Sequence, residues 1–416
     1  HDRANGSLQA AAEESATVAV DRVDRVDQEL REQMHGAILL REESAAQLSA
    51  SMPAAERSGA ESAAAFGKLW LVGALLARGD VEKALPWVGS LAAHGAAHSN
   101  RWRIAEADEL RRACQVTRAG LEPCAHDVEA DPAGRGYIAE WLHAGVQAYQ
   151  GVYFRGAASA ELPPAWEWAS THMPAGYRTA GDGFRAALAA HRDDRWVGQP
   201  APPAALTLLN AGHALATAEA AAISGTQAVA NAWASWFAER WPAWMQTTAE
   251  WPASALRVQG LVQARSGDLR TAVALLKQAT TWCERAGYVV EHAISMVQLA
   301  ELMALAPGTV QRRVWIDIRS AGREQCRVLG IDSAAVADAA VSAAALGKFD
   351  AQRPQLTPRE VEVLDLFRGG LTYRQVGDEL HLDWRTVQTH AKNIYAKLEV
   401  NSKTGAVVRA GELGLL

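Results

Sequence analysis

Cysteine is scarce in this chain. Four occur in 416 residues, at positions 114, 124, 283 and 326, and no two form a CxxC pair. That excludes a zinc ribbon, a dithiol redox motif and a disulfide scaffold, and scattered thiols of this kind fit the cytoplasm. No uncharged apolar run approaches the roughly 20 residues that span a bilayer. The stretch from His1 to Gln9 is polar and has no signal-peptide core, so no membrane partner is expected. Alternating β-branched runs are nearly absent, which argues against a sheet-based fold. Neither a GxxxxGKS/T phosphate loop nor a GxSxG elbow occurs. Nucleotide binding and hydrolase chemistry therefore lack support, catalysis is the least favoured class, and no cofactor is expected. His94 and His98 lie four apart, but Gly95 stands between them and no third ligand is evident, so a metal site is not expected.

Tryptophan, by contrast, is abundant: 15, against 7 Tyr and 6 Phe. Alanine is abundant too and favours helix. At roughly 150 residues per domain the length implies two or three domains. The expected fold class is all-α. Residues 8–50 carry Val23, Val26, Leu30, Ile38 and Leu39 at helical spacing, and the DRVDRVD run at 21–27 reads as their solvated side. Met52-Pro53 is expected to break that pattern.

Residues 64–93 read as a helical hairpin. Leu69, Leu71, Val72, Leu75 and Leu76 lead to Gly79, which can close a helix, and Asp80, which can cap the next one. Ala84, Leu85, Val88 and Leu91 follow. The device recurs at 255–279, where Leu256, Gly260, Gly267-Asp268, Ala272, Leu276 and Ala279 fall on tetratricopeptide (TPR) spacing. A weaker copy is Gly181-Asp182…Ala186. Breaks are expected near 156–176 and 198–203. Residues 1–346 are therefore expected to form an irregular TPR-like α-solenoid, with 347–355 as a linker.

Residues 356–416 are a different kind of sequence. Thr357-Pro358-Arg359-Glu360 is a capping box with proline at the first helical position. Val363, Leu364 and Phe367 supply an apolar face, and Gly369-Gly370 stops that helix. Thr372 and Gln375 form a second box ahead of Val376 and Leu380. After a turn at His381-Leu382, Asp383 can cap a third helix, in which Val387, Ala391, Ile394 and Leu398 form one buried stripe. Its opposite face carries Arg385, Gln388, Thr389 and Lys392. Two short helices with a tight turn, the second polar and basic outside, are a helix-turn-helix. Gln388 suits adenine and Lys392 suits guanine, while Arg374, Lys397 and Lys403 can neutralise phosphates. This segment has eight Lys and Arg against eight Asp and Glu, so the whole net charge of −6 falls on residues 1–355. DNA binding must then rest on one-sided placement of charge.

These motifs resemble the LuxR-type helix-turn-helix of bacterial transcription regulators over about 61 residues. The resemblance implies a four-helix domain with base contacts at Gln388, Thr389 and Lys392 and backbone contacts at Arg374, Thr386, Lys397 and Lys403. Gly377, Trp384 and Glu399 depart from the family pattern. Residues 206–305 resemble, more diffusely, the helical-repeat region of the large maltose-activator-like members. Those members carry a preceding nucleotide-binding switch domain, for which this chain has no phosphate loop. The resemblance implies a repeat domain that senses an inducer, expected to be a neutral sugar such as a glucose disaccharide or maltooligosaccharide. The candidate ligand residues are Glu140, Trp141, His143, Tyr149, Trp168, Asp182, Arg185, Trp233 and Trp236, because indole faces stack on sugar C–H groups and polar neighbours bind hydroxyls. Trp166, Trp241 and Trp244 extend these clusters. The competing reading is core packing, since Trp233, Phe237, Trp241 and Trp244 have helical spacing. Expected partners are double-stranded promoter DNA, the inducer, RNA polymerase, and a second copy on DNA through Val407 or Val408 and Leu413. The alternative function is a helical scaffold regulated by a protein partner.

Overall fold

The computed structural model describes residues 28–58 (without 35 and 39), 61–119, 137–154, 180–191, 201–306 (without 209), 312–351 and 357–412 (without 381 and 399). Among the described residues the fold is all-α, with no strand and a single isolated antiparallel bridge between Phe154 and Ile331. The chain divides into two compact units at Gly347/Lys348. None of the described helices is long and apolar enough to cross a membrane.

The first unit contains α1 (Ser44–Ser58), α2 (Glu61–Arg78), α3 (Val81–Ala97), α4 (Arg101–Ala119), α5 (Tyr137–Tyr153), α6 (Ala180–His191), α7 (Ala211–Ser224), α8 (Gln227–Arg240), α9 (Ala255–Ser266), α10 (Leu269–Ala286), α11 (Val289–Leu305), α12 (Arg312–Leu329) and α13 (Ser333–Ala351). The hairpin expected at 64–93 is α2–α3, and Gly79 turns it at φ +85°. Asp80 precedes α3, but its side chain makes no cap; it binds Lys83 at 3.1 Å instead. In α9–α10 the turn is complete. Gly267 sits at φ +96°, and Asp268 accepts from the Thr271 N–H at 3.0 Å. A Cβ on Gly260 would meet Leu276 at 3.1 Å and the Ala272 carbonyl at 3.2 Å, so glycine sets how closely these helices approach.

Several expectations need correction. Pro53 lies inside α1 rather than ending a helix, and buried Met52 and Ala55 hold the packing face on both sides of it. Gly181-Asp182 lies in the first turn of α6, and the residues before Ala180 lie outside the described ones. α13 runs on to Ala351, so the first residues of the expected linker are helical. The DRVDRVD run and residues 156–176 lie outside the described residues; Leu30 is buried.

The array is thick enough to bury helices on all sides. Every residue of α7 from Ala211 to Ile223 is buried except His213. Charge is buried with them. Fully buried Arg257 on α9 binds Glu219 of α7 at 2.6 Å and Glu291 of α11 at 2.7 Å. The Tyr149 hydroxyl donates to Glu291 at 2.5 Å, and Tyr153 donates to Glu219. Burial alone would raise the Glu219 carboxyl, but the Arg257 charge and the His191 contact outweigh it and hold it well below the usual carboxylate range. Arg265, also fully buried, donates to the carbonyls of Ala222 (2.6 Å) and Ile223, closing the C-terminal end of α7.

Between α8 and α9 the chain takes a non-helical path, Met245–Ser254, whose residues are buried apart from half-buried Gln246. The amides of Gln246 and Thr247 donate to Ala77 at the end of α2. Glu250 accepts from Gly212 on α7 at 2.8 Å, and Ser254 donates to Glu291 on α11 at 2.7 Å. A Cβ on Gly145 of α5 would meet the Glu250 carbonyl at 2.4 Å. Trp251 stacks on Phe184 of α6 and donates to Glu219 at 3.1 Å. One strap thus holds five helices.

The second unit contains α14 (Pro358–Arg368), α15 (Tyr373–Leu380), α16 (Trp384–Leu398) and α17 (Lys403–Glu412). Its core is Val363, Leu364, Phe367, Val376, Val387, Ala391, Ile394, Leu398 and Ala406. Both expected capping boxes form: Thr357 N–H donates to Glu360 at 2.7 Å, and Thr372 N–H donates to Gln375 at 2.9 Å.

Candidate nucleic-acid interface

The α16 stripe Val387, Ala391, Ile394 and Leu398 faces inward. That alone forces the other side of the helix out, because 3.6 residues make a turn. Arg385, Thr386, Gln388, Thr389 and Lys392 are exposed there, and Arg374 is exposed in the first turn of α15. The Asp383 side chain accepts from the Arg385 amide at 2.8 Å and fixes the start of the helix. Thr389 donates its hydroxyl back to the Arg385 carbonyl at 3.1 Å, so in the free protein it is partly satisfied within the helix.

Two of the expected phosphate contacts have work inside the unit. Lys397 binds Glu360 at 2.6 Å, tying α16 to the start of α14. Burial would raise the Glu360 carboxyl, but Lys397 and the two Thr357 hydrogen bonds hold it below its ordinary value. Lys403 donates to the Leu371 carbonyl at 2.6 Å and lies over the Phe367 ring. An ammonium has three donors, so either lysine can brace the unit and still meet a phosphate.

Gly377, which departs from the family pattern, has a structural use: a Cβ there would meet the Leu382 carbonyl at 2.7 Å and the Trp384 amide at 3.4 Å. The Leu382 amide donates to the Gly377 carbonyl at 2.8 Å, which closes the turn between α15 and α16. The Tyr373 and Tyr395 hydroxyls meet at 2.8 Å, a cross-helix bond that spacing alone did not announce. His381 and Glu399 lie outside the described residues. Of the expected dimer contacts, Val407 packs half-buried on the core; the Val408 side chain and Leu413 lie outside the described residues.

The expected ligand residues of the first unit do not line one surface. Glu140, Trp141, His143 and Tyr149 on α5 are buried, with His143 3.2 Å from Glu109 and Tyr149 on Glu291. Trp233 and Trp236 on α8 are buried in a second aromatic cluster with Phe237 and Trp241, and the Trp236 indole donates to the Pro203 carbonyl at 2.8 Å. Asp182 and Arg185 are exposed on α6 and face each other at 3.6 Å. Trp166 and Trp168 lie outside the described residues. A cleft of about 570 Å³ does open beside α12, along Arg319, Arg323 and Arg327, but carboxylates pair with its arginines: Glu301 with the first two and Glu324 with the third.

The family model described as bacterial regulatory proteins, luxR family, matches residues 354–410. The second unit is thus a LuxR-family helix-turn-helix domain. Among relatives, the transcriptional regulatory protein LiaR of Bacillus subtilis is 46% identical over 55 residues, 13% of this chain and 26% of that protein. The transcriptional regulatory protein DegU of Brevibacillus brevis is 44% identical over 55 residues, 13% of this chain and 23% of its own length. The response regulator protein VraR of Staphylococcus aureus is 39% identical over 61 residues, 15% of this chain and 29% of that protein. The chain spans about a quarter of the length of these relatives. No solved structure gives a significant match to it.

Proposed function

We propose that the protein is a cytoplasmic transcription regulator that binds double-stranded promoter DNA through α15 and α16 and receives its signal through the first unit. The observation that carries this reading is the exposed face of α16, where Arg385, Gln388 and Lys392 stand opposite the buried stripe of a LuxR-family domain. α16 enters the major groove; Gln388 and Lys392 read bases, and Arg374, Thr386, Lys397 and Lys403 hold the backbone. Two copies bind half-sites about one helical turn apart and act on RNA polymerase.

Binding-site selection from random duplexes with the full chain, followed by affinity measurements, tests this. Lys392→Ala and Gln388→Ala should each cost about 1–3 kcal/mol on the selected site and relax preference at one base position. Lys403→Ala should weaken all sequences alike. Equal loss on every duplex for all three variants would remove α16 from the groove.

The first unit, read as a TPR-like solenoid, is the sensor in this proposal, and a small neutral saccharide is its ligand. The resemblance to the large maltose-activator-like regulators supports that ligand class. Calorimetric titration of the full chain with maltose and maltotriose tests it. No heat with either sugar, together with a protein partner that co-purifies stoichiometrically, would replace the sensor reading with the scaffold one.

A further inference from the structure

Trp384 opens α16 and is 40% exposed, an unusual place for the largest apolar side chain in a small unit with an apolar core available. A Cβ on Gly377 would stand 3.4 Å from the Trp384 amide and 3.6 Å from its Cα, so the backbone of Trp384 lies against α15. Its position on the helix is defined as well. Trp384, Gln388 and Lys392 stand at i, i+4 and i+8, one straight ridge, and Arg385 falls beside them within an arc of about 100°. The Arg385 guanidinium lies 5.6 Å from the centroid of the Trp384 ring, inside the range of a cation–π contact. Ring and guanidinium are therefore presented together at the N-terminal end of the reading helix, the end that reaches base edges in a helix-turn-helix.

We propose that Trp384 is a specificity-determining residue of this unit, which reads a thymine through its 5-methyl group and carries Arg385 to the adjoining phosphate. The inference rests on the DNA-binding reading above. The chemistry of the groove selects the base. Along the major-groove edges of the four base pairs every distinguishing group is a hydrogen-bond donor or acceptor except the thymine methyl. An exposed indole on the groove-facing ridge has one apolar partner available there. Held over the ring, Arg385 loses less rotamer freedom when it meets a phosphate oxygen, so the aromatic contact and the charge contact reinforce each other.

The test uses the full chain and its selected duplex, with each thymine replaced singly by deoxyuridine, which lacks only the methyl. Wild-type protein should lose about fourfold in affinity at one position, the worth of one buried methyl. Trp384→Ala should bind the parent duplex more weakly and no longer distinguish thymine from deoxyuridine at that position, while Lys392 still discriminates at its own. Trp384→Phe should recover part of the discrimination, which a purely structural role would not produce. Arg385→Ala should keep the thymine preference and lower the salt slope of binding by about one. Trp384→Ala binding with the wild-type deoxyuridine profile would overturn the proposal while leaving the regulator reading standing. Failure of the wild-type chain to bind any duplex would overturn that reading and this one with it.

Discussion

The two units treat charge in opposite ways. In the helix-turn-helix unit the nine core residues among those described are all apolar, and the charged side chains of α16 stand outside. In the helical array Arg257, Arg265, Glu219 and Glu291 are fully buried, and so are Trp233 and Trp251. Size accounts for the difference. A unit of four short helices can bury one stripe of each helix, so its polar side chains face solvent, apart from Glu360, which is buried beside the core and paired with Lys397. A larger array buries whole helices such as α7, and the polar groups that come inside with them must pair. A polar or aromatic residue at helical spacing is therefore a surface signal in the small unit and an ambiguous one in the large unit.

The sharpest test of that contrast is Arg257→Ala. It leaves Glu219 and Glu291 buried without their cation and should cost about 3–5 kcal/mol of stability, read as an early unfolding transition in urea. Lys392→Ala, an exposed charge, should leave the urea midpoint unchanged. Little effect from Arg257→Ala would mean that water reaches this cluster.

Trp233→Ala should cost about 3–5 kcal/mol as a core truncation. The melting temperature of the free protein is the measurement. If it is retained while saccharide binding is lost, Trp233 is a ligand residue after all and the array is more open than its packing.

Burial pushes the Glu250 carboxyl up to about 7, against the N–H groups that favour its ionised form. The folded state holds this proton more tightly than the unfolded chain. Its contribution is complete below about pH 4.5 and is lost as pH rises through about 7, a span worth about 3 kcal/mol. Glu250→Gln keeps an acceptor for the Gly212 amide and has no charge to desolvate. It should match wild type in urea at about pH 4 and exceed it by about 3 kcal/mol at about pH 8. Parallel pH profiles would show that Glu250 is solvated. The smallest effect is expected in the other unit. Thr357→Ala removes one half of the α14 capping box and should cost about 1 kcal/mol, seen in the second unit's transition only.

The same contrast decides what could be read in the sequence. Capping boxes at Thr357 and Thr372 and the stripe from Val387 to Leu398 are local patterns, and local hydrogen bonding and helical period reproduce them in the fold. The hairpin turns at Gly79 and Gly267 are equally local. The partners of Arg257 lie 38 and 34 residues away in sequence, and that of Tyr149 lies 142 away. No spacing rule reaches that far, so Tyr149 and Trp233 were indistinguishable from groove residues. Pro53 misled for a related reason: its local tendency to break a helix gave way to packing on both sides of it. Gly377 departs from the family pattern in the sequence, and only the fold shows its use, the space it leaves for Leu382 and Trp384.

The strap from Met245 to Ser254 changes what kind of object the array is. A stack of hairpins held only by nearest neighbours frays from its ends and opens one repeat at a time. Here the end of α2 and the start of α11 grip the same ten residues. Opening any of the helices between them disturbs all of them, so backbone amides across this stretch should exchange with solvent together and at a common rate. A signal arriving at one part of such a body is felt as a shift of the whole.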